Sequence, residues 1–104
     1  MESCEVNLSE PAENDLRDIA KYISSQLNAP VTAMSMIQTI KTAISKLETM
    51  ALAHPHVRDD RLAALGYRFV SIKNYLAFYV VNEKEKIVDV DRILYGRRDW
   101  RSLL

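Results

Sequence analysis

The sequence has little with which to cross-link or punctuate itself. Cys4 is its single cysteine, so no disulfide can close within the chain, and a reducing compartment is expected. Two glycines and three prolines in 104 residues are too few for a disordered chain. No apolar run approaches the length of a membrane span, and the first residues lack the basic-then-apolar order of a signal peptide. A soluble, cytoplasmic protein with no membrane partner is the expectation. An excess of either charge is missing as well: 14 basic groups meet 14 acidic ones. Strong non-specific binding to nucleic acid needs a clear positive excess, so only a local basic site remains open. There is no glycine-rich phosphate loop and no zinc-ligand spacing or Ser-His-Asp order. His54 and His56 flank Pro55 without a third ligand nearby, and they read as loop histidines. Neither a metal nor a cofactor is expected.

What is present is an apolar fraction of 48%, enough for the core of one domain spanning residues 1–104. The neutral total hides an asymmetry. Residues 1–57 carry four basic and seven acidic side chains, a balance of −3; residues 58–104 carry ten and seven, a balance of +3. Residues 3–8 alternate like a short strand. Ser9 can then cap a helix with Pro11 in its first turn and with Leu16, Ile19, Ile23 and Leu27 on one face. Asn28 to Pro30 breaks it, and Pro30 can open a second helix with a stripe of Met34, Ile37, Ile40, Ile44, Leu47 and Ala51. Two amphipathic helices with a short break between them make a helical hairpin.

From Gly66 onward the period changes to two. Tyr67 to Ile72 reads as a strand, Lys73 and Asn74 as a tight turn, and Tyr75 to Val81, apolar on both faces, as a central strand. A charged loop leads into a last strand, Ile87 to Leu94. The expected fold is α+β, in the order β-α-α-β-β-β. The helical hairpin covers one face of a small antiparallel sheet, the first strand joins the meander, and the second sheet face stays partly open. Arg68, Asp89, Asp91 or Arg92 are expected on that open face.

The last strand runs into Gly96, then Arg97, Arg98, Asp99, Trp100 and Arg101. Gly96 permits a sharp change of direction, and arginine forks match phosphate and carboxylate geometry. Arg68, Arg92, Arg97, Arg98 and Arg101 therefore form the candidate site, with Tyr95 close enough to exchange a proton or to stack. The plain alternative is a basic rim that pairs with the acidic helices. Asp89 and Asp91 share a strand face, and they read as partners of those arginines rather than an acid–base pair. Tyr67, Tyr75 and Tyr79 follow strand periodicity and read as packing residues.

Leu8 to Ile19 with Tyr22 and Ile23, Gly66 to Phe69, and Arg92 to Asp99 together resemble the RelE/ParE superfamily of type II toxins over nearly the whole length. ParE-like members often carry histidine at the position of Tyr95. The resemblance implies a toxin neutralised by a cognate antitoxin, with operator DNA bound only through that antitoxin. RelE-like members cleave mRNA in the ribosome, and ParE-like members poison DNA gyrase. The paired N-terminal helices and the closing motif look ParE-like, and no tyrosine or histidine follows Arg98, as it usually does in RelE-like chains. The resemblance thus implies a gyrase inhibitor whose target contacts are Arg92, Arg97, Arg98, Trp100 and Arg101, with Leu16, Ile19 and Ile23 toward the antitoxin. The alternative is a ribosome-dependent ribonuclease using Arg68, Arg97 and Tyr95. An inactive toxin or plain interaction module is the third reading.

Overall fold

The computed structural model describes residues 3–104 and begins with a strand, β1 (Glu5–Leu8). Ser9 ends it and starts the first helix. Its hydroxyl accepts from the Ala12 N–H at 3.0 Å and donates to the Asp91 carbonyl at 2.6 Å. One side chain therefore caps helix α1 (Glu10–Lys21) and ties that cap to the last strand. Beyond Lys21 the helix widens into a π turn, Tyr22–Gln26, with the Leu27 N–H bonded to the Tyr22 carbonyl. Asn28 takes a positive φ of 51° and reverses the chain. Pro30 opens α2 (Pro30–Ser45), and a short α3 (Leu47–Met50) continues it.

The buried stripe of the second helix is Ala33, Ile40, Ile44 and Leu47, with Ile37 partly buried. Met34, expected in that line, is exposed. The reason is phase: the spacing 33, 37, 40, 44, 47 follows the helical repeat, and Met34 lies about 100° around from Ala33.

The second half forms a short α4 (Asp60–Ala64), whose cap is the Asp59 carboxylate on the Leu62 N–H, and three strands: β2 (Arg68–Ile72), β3 (Tyr75–Asn82) and β4 (Ile87–Tyr95). The sheet order is β1-β4-β3-β2. The meander is antiparallel, but β1 joins β4 in parallel, Glu5 opposite Ile87 and Leu8 opposite Val90, so the sheet is mixed. Strand β3 is interior, as its two apolar faces require. The main core lies between the sheet and the hairpin, around Leu16, Ile19, Ile23, Ile40, Tyr79 and Val90.

The other sheet face is closed, against expectation. Phe78 and Leu94 lie beneath Val57 and Leu62, with Trp100, Leu103 and Leu104 packed over them. Apolar side chains on both faces of β3 and β4 need a second cover, and α4 with the C-terminal 3-10 turn Trp100–Ser102 provides it. The strand β4 serves both faces because of a bulge. Phe78 pairs with Arg92 and Tyr79 with Val90, so Asp91 is one residue extra. Val88 and Val90 face the hairpin before it, and Ile93 does so after it.

Candidate functional site

The end of β4 is built from both halves of the chain. Strand β1 pairs with β4 only as far as Val90, which leaves the edge of residues 91–95 to be covered by something else. Helix α1 does this with Asp15. Its carboxylate accepts from the Ile93 N–H at 2.9 Å and from Arg92, Nε at 2.8 Å and Nη2 at 2.9 Å. A buried acid stands where a neighbouring strand would stand, and the guanidinium reaches around the edge to balance it. This carboxylate, the main cause, raises the Arg92 pKa further, against the opposing effect of burial. The Leu103 carbonyl lies 3.5 Å from the same guanidinium.

Arg92, expected as a target contact, is therefore a structural group whose fork is occupied. Arg101 is occupied too. Its guanidinium carbon lies 4.4 Å from the centre of the Trp100 ring, its Nε is 3.5 Å from Asp59, and it donates to the Arg58 carbonyl. Trp100 packs on Phe78 at 5.2 Å between ring centres, so its ring helps to close the second core. Arg97 and Arg98 differ from these. Both are exposed, and neither has an ion-pair partner among the described residues. The Arg98 N–H is fixed on the Tyr95 carbonyl at 3.0 Å. Gly96 is needed here for space, because a Cβ would lie 3.3 Å from the Asn74 carbonyl oxygen, to which the Gly96 N–H is bonded at 2.8 Å. It does not take the positive φ that the turn alone would suggest.

Arg68, Arg97 and Tyr95 are not brought together. Arg68 pairs across to Tyr79, and Tyr95 pairs with Tyr75 at the opposite end of the sheet. Four residues along the strand, about 13 Å, and two strand spacings, about 10 Å, separate the backbones of Arg68 and Tyr95. Arg68 lies on the hairpin side of the sheet rather than the expected open side, and donates to the His54 carbonyl at 2.6 Å. Leu16, Ile19 and Ile23 lie in the main core, so they are not free to hold a partner along their whole length. Only a part of Ile19 faces the groove described next.

That groove, of about 490 Å3, runs between α1 and the end of β4 beyond its pairing with β1. Tyr22, Tyr75 and Tyr95 wall it, Ile19 and Ile93 floor it, and Asp18 and Arg98 stand at its rim. Tyr75 and Tyr95 meet edge to face at 6.0 Å. Burial, more than the neighbouring phenols of Tyr22 and Tyr95, raises the Tyr75 pKa. Tyr22 and Tyr95 remain exposed. On the other side of the sheet, Tyr67 donates to Asp91 at 2.7 Å, and burial with that bond pushes its phenol up to about 12. Asp91 is thus held at the bulge by Tyr67 and, through its carbonyl, by Ser9.

Sequence reasoning missed Asp15 and the tyrosine groove. Asp15 carried a signal: it stands among Ala12, Leu16 and Ile19 on the apolar face of α1, where a carboxylate demands a partner. The groove carried none, since its tyrosines come from a helix end and two strands.

A four-stranded mixed sheet with a helical hairpin on one face and an arginine-rich strand end defines a small α+β domain. The family model for the ParE toxin of type II toxin–antitoxin systems, parDE, matches residues 6–100, and the chain belongs to that family. Among solved structures it is similar to a chain of the chromosomal ParDE system from P. aeruginosa, at 19% identity over 88% of this chain and 94% of that one, with a TM-score of 0.72. It is also similar to a chain of the RelBE2 toxin–antitoxin complex from Mycobacterium tuberculosis, at 15% identity over 89% and 98%, with a TM-score of 0.62. No sequence match was found among curated proteins. No helix among the described residues is long and apolar enough to cross a membrane.

Proposed function

We propose that this chain is the toxin of a type II pair and arrests growth by inhibiting DNA gyrase. The observation that carries the reading is the pair Arg97 and Arg98, exposed in the turn just beyond β4 and without an ion-pair partner among the described residues. These two guanidinium groups beside the Trp100–Arg101 stack make a compact cationic contact for an acidic or phosphate-bearing surface of the target. The separation of Arg68 from Tyr95 counts against the ribonuclease alternative, because general acid–base cleavage needs its groups within hydrogen-bond reach of one phosphate.

A cognate antitoxin completes the reading, and operator DNA is bound through it. Its likeness to chains from ParDE and RelBE2 assemblies supports such a partner. The tyrosine groove is the best place for an antitoxin segment, since the edge of β4 there has no strand beside it and Tyr22, Tyr75 and Tyr95 offer apolar walls.

Supercoiling by purified gyrase tests the target. The parent chain is expected to inhibit it, and the Arg97→Ala/Arg98→Ala variant to need about tenfold more protein for the same inhibition. No inhibition at a large molar excess of the parent removes the gyrase reading. Codon-internal cuts in translated mRNA, seen by primer extension, replace it with the ribonuclease. Harmless expression without antitoxin, with neither effect, leaves an inactive toxin or interaction module.

A further inference from the structure

Along the tyrosine groove, the backbone of β4 stays in strand conformation to Tyr95, past the end of its pairing with β1. Pairing fixes where its polar groups point. Gly96 donates to the Asn74 carbonyl on the β3 side, and Ile93 donates outward to Asp15. Alternation along an antiparallel pair then turns the Ile93 carbonyl and the Tyr95 N–H outward as well. The Tyr95 carbonyl is taken by the Arg98 N–H. One acceptor and one donor are left, on residues flanking Leu94, and no bond to either is found among the described residues. Two opposite charges face the same groove, Asp18 from α1 and Arg98 from the turn after β4. Among the described residues neither forms an ion pair, with the other or with a third group.

We propose that the groove takes an extended peptide segment running parallel to β4, with a basic residue two positions before an acidic one. The inference rests on the reading of this groove as the antitoxin's place and names the residue pattern recognised there. In a parallel ladder one residue donates to the carbonyl before its opposite number and accepts from the N–H after it. A single residue opposite Leu94 therefore satisfies both Ile93 and Tyr95, in the orientation that β1 already takes on this edge. Its two neighbours in the segment, about 7 Å apart, point their side chains to the hairpin side, as Ile93, Tyr75 and Tyr95 do. Helix α1 runs the same way as β4: Ser9 meets Asp91, Asp15 meets Ile93, and Tyr22 lies near Tyr75. A segment parallel to β4 therefore passes Asp18 before it reaches Arg98. A basic side chain in the first place lays its stem on Ile19 and Ile93 and sets its charge between Asp18 and the ring faces of Tyr22 and Tyr75. An acidic side chain in the second place meets the Arg98 fork. An uncharged segment leaves both charges unanswered, and the reverse order sets like against like.

Amide NMR of the isotope-labelled full chain, titrated with synthetic heptapeptides to about 5 mM, tests it. The forward probe carries arginine in its third place and aspartate in its fifth, with valine between them, serine elsewhere and both ends blocked. It is expected to shift the amides of Leu94 and Tyr95 with a Kd of about 1 mM. Exposed ion pairs are each worth a few-fold, so a probe with the two charges exchanged should bind at least about fivefold more weakly. Asp18→Lys alters an exposed side chain, so it should keep the parent's melting curve while weakening the forward probe about fivefold. A forward probe that shifts neither amide overturns the proposal, and so does an exchanged probe that binds equally well. A folded Asp18→Lys variant that binds the forward probe like the parent does the same. Shifts of these amides on raising the protein concentration alone give the groove to a second copy and also overturn it. Gyrase supercoiling without peptide reads the toxin separately. Inhibition of gyrase with failure of the peptides removes this inference alone, and discrimination among the peptides without inhibition removes the gyrase reading alone.

Discussion

Replacing Asp15 by alanine tests the link between the acidic hairpin and the arginine strand. The carboxylate accepts three hydrogen bonds, two from the Arg92 guanidinium and one from the Ile93 N–H. Breaking a buried ion pair by removing one partner costs about 3–5 kcal/mol, because the other partner stays desolvated. The Arg92 side chain keeps 20% of its surface in solvent and can recover part of its hydration, so the lower end, about 3 kcal/mol, is expected. Asp15→Asn retains one acceptor for the Ile93 N–H and should lose about 2 kcal/mol. Equilibrium urea unfolding measures both. With m of about 1–3 kcal/mol/M, Asp15→Ala should move the midpoint by roughly 1–3 M without changing m. Combining it with Arg92→Leu should cost less than the sum of the two single changes by about 1.5 kcal/mol, since each removes the other's unpaired charge. A loss below about 1 kcal/mol for Asp15→Ala would refute the view that this carboxylate stands in for a strand at the edge of β4.

Three further outcomes follow from other contacts. Tyr79 is fully buried and donates to the Ala51 carbonyl at 2.6 Å, so Tyr79→Phe should cost about 1–2 kcal/mol in chemical denaturation at neutral pH. Burial pushes that phenol from 10.0 up to about 12, with Tyr67 in the same window. The neutral form is the one the fold favours, so the stability it contributes is complete below pH 10 and is lost between about pH 10 and 12. Tyr79→Phe should flatten the stability curve over that range, and an unchanged slope would count against the assignment. Trp100→Ala uncovers Phe78 and Leu94 and should lower stability by about 2–3 kcal/mol in a thermal or urea melt. Ser9→Ala loses both the helix cap and the bond to Asp91, for about 1–2 kcal/mol by the same measurement.

Local signals in the sequence carried most of the architecture. The Ser9 cap, the Pro30 helix start, the Lys73–Asn74 turn and the two apolar faces of β3 each depend on residues within a few positions of one another, and each is found in the structure. The signals failed where the determinant is distant. Arg92 reads as a free guanidinium because its partner Asp15 lies 77 positions earlier, on a helix that only the fold brings to the edge of β4. The second sheet face reads as open because Trp100, Leu103 and Leu104 look like a tail until Phe78 and Leu94 are seen to need cover. Arg68 has the right chemistry for a phosphate, yet pairing register sets it at the far end of the sheet from Tyr95. Distance decided which arginines of the closing motif are engaged, and among the described residues Arg97 and Arg98 are the two without an ion-pair partner.

The extra residue at Asp91 has a consequence for how such chains can change length. Upstream of it, side chains at even positions of β4 look toward the hairpin, and downstream the odd ones do. Remove that one residue and Arg92 follows Val90 in regular alternation, so Ile93 still faces the hairpin and Leu94 the tryptophan side. Remove a second, so that Ile93 follows Val90 directly, and the parity downstream inverts: Ile93 would turn toward the tryptophan side and Leu94 under the helices. The loop from Asn82 to Lys86 can grow or shrink with no such effect, since both its ends lie in solvent. The segment between Val90 and Ile93 therefore carries one residue of slack, and the cost of losing Asp91 is that of its bonds to Tyr67 and Ser9 rather than of a turned strand.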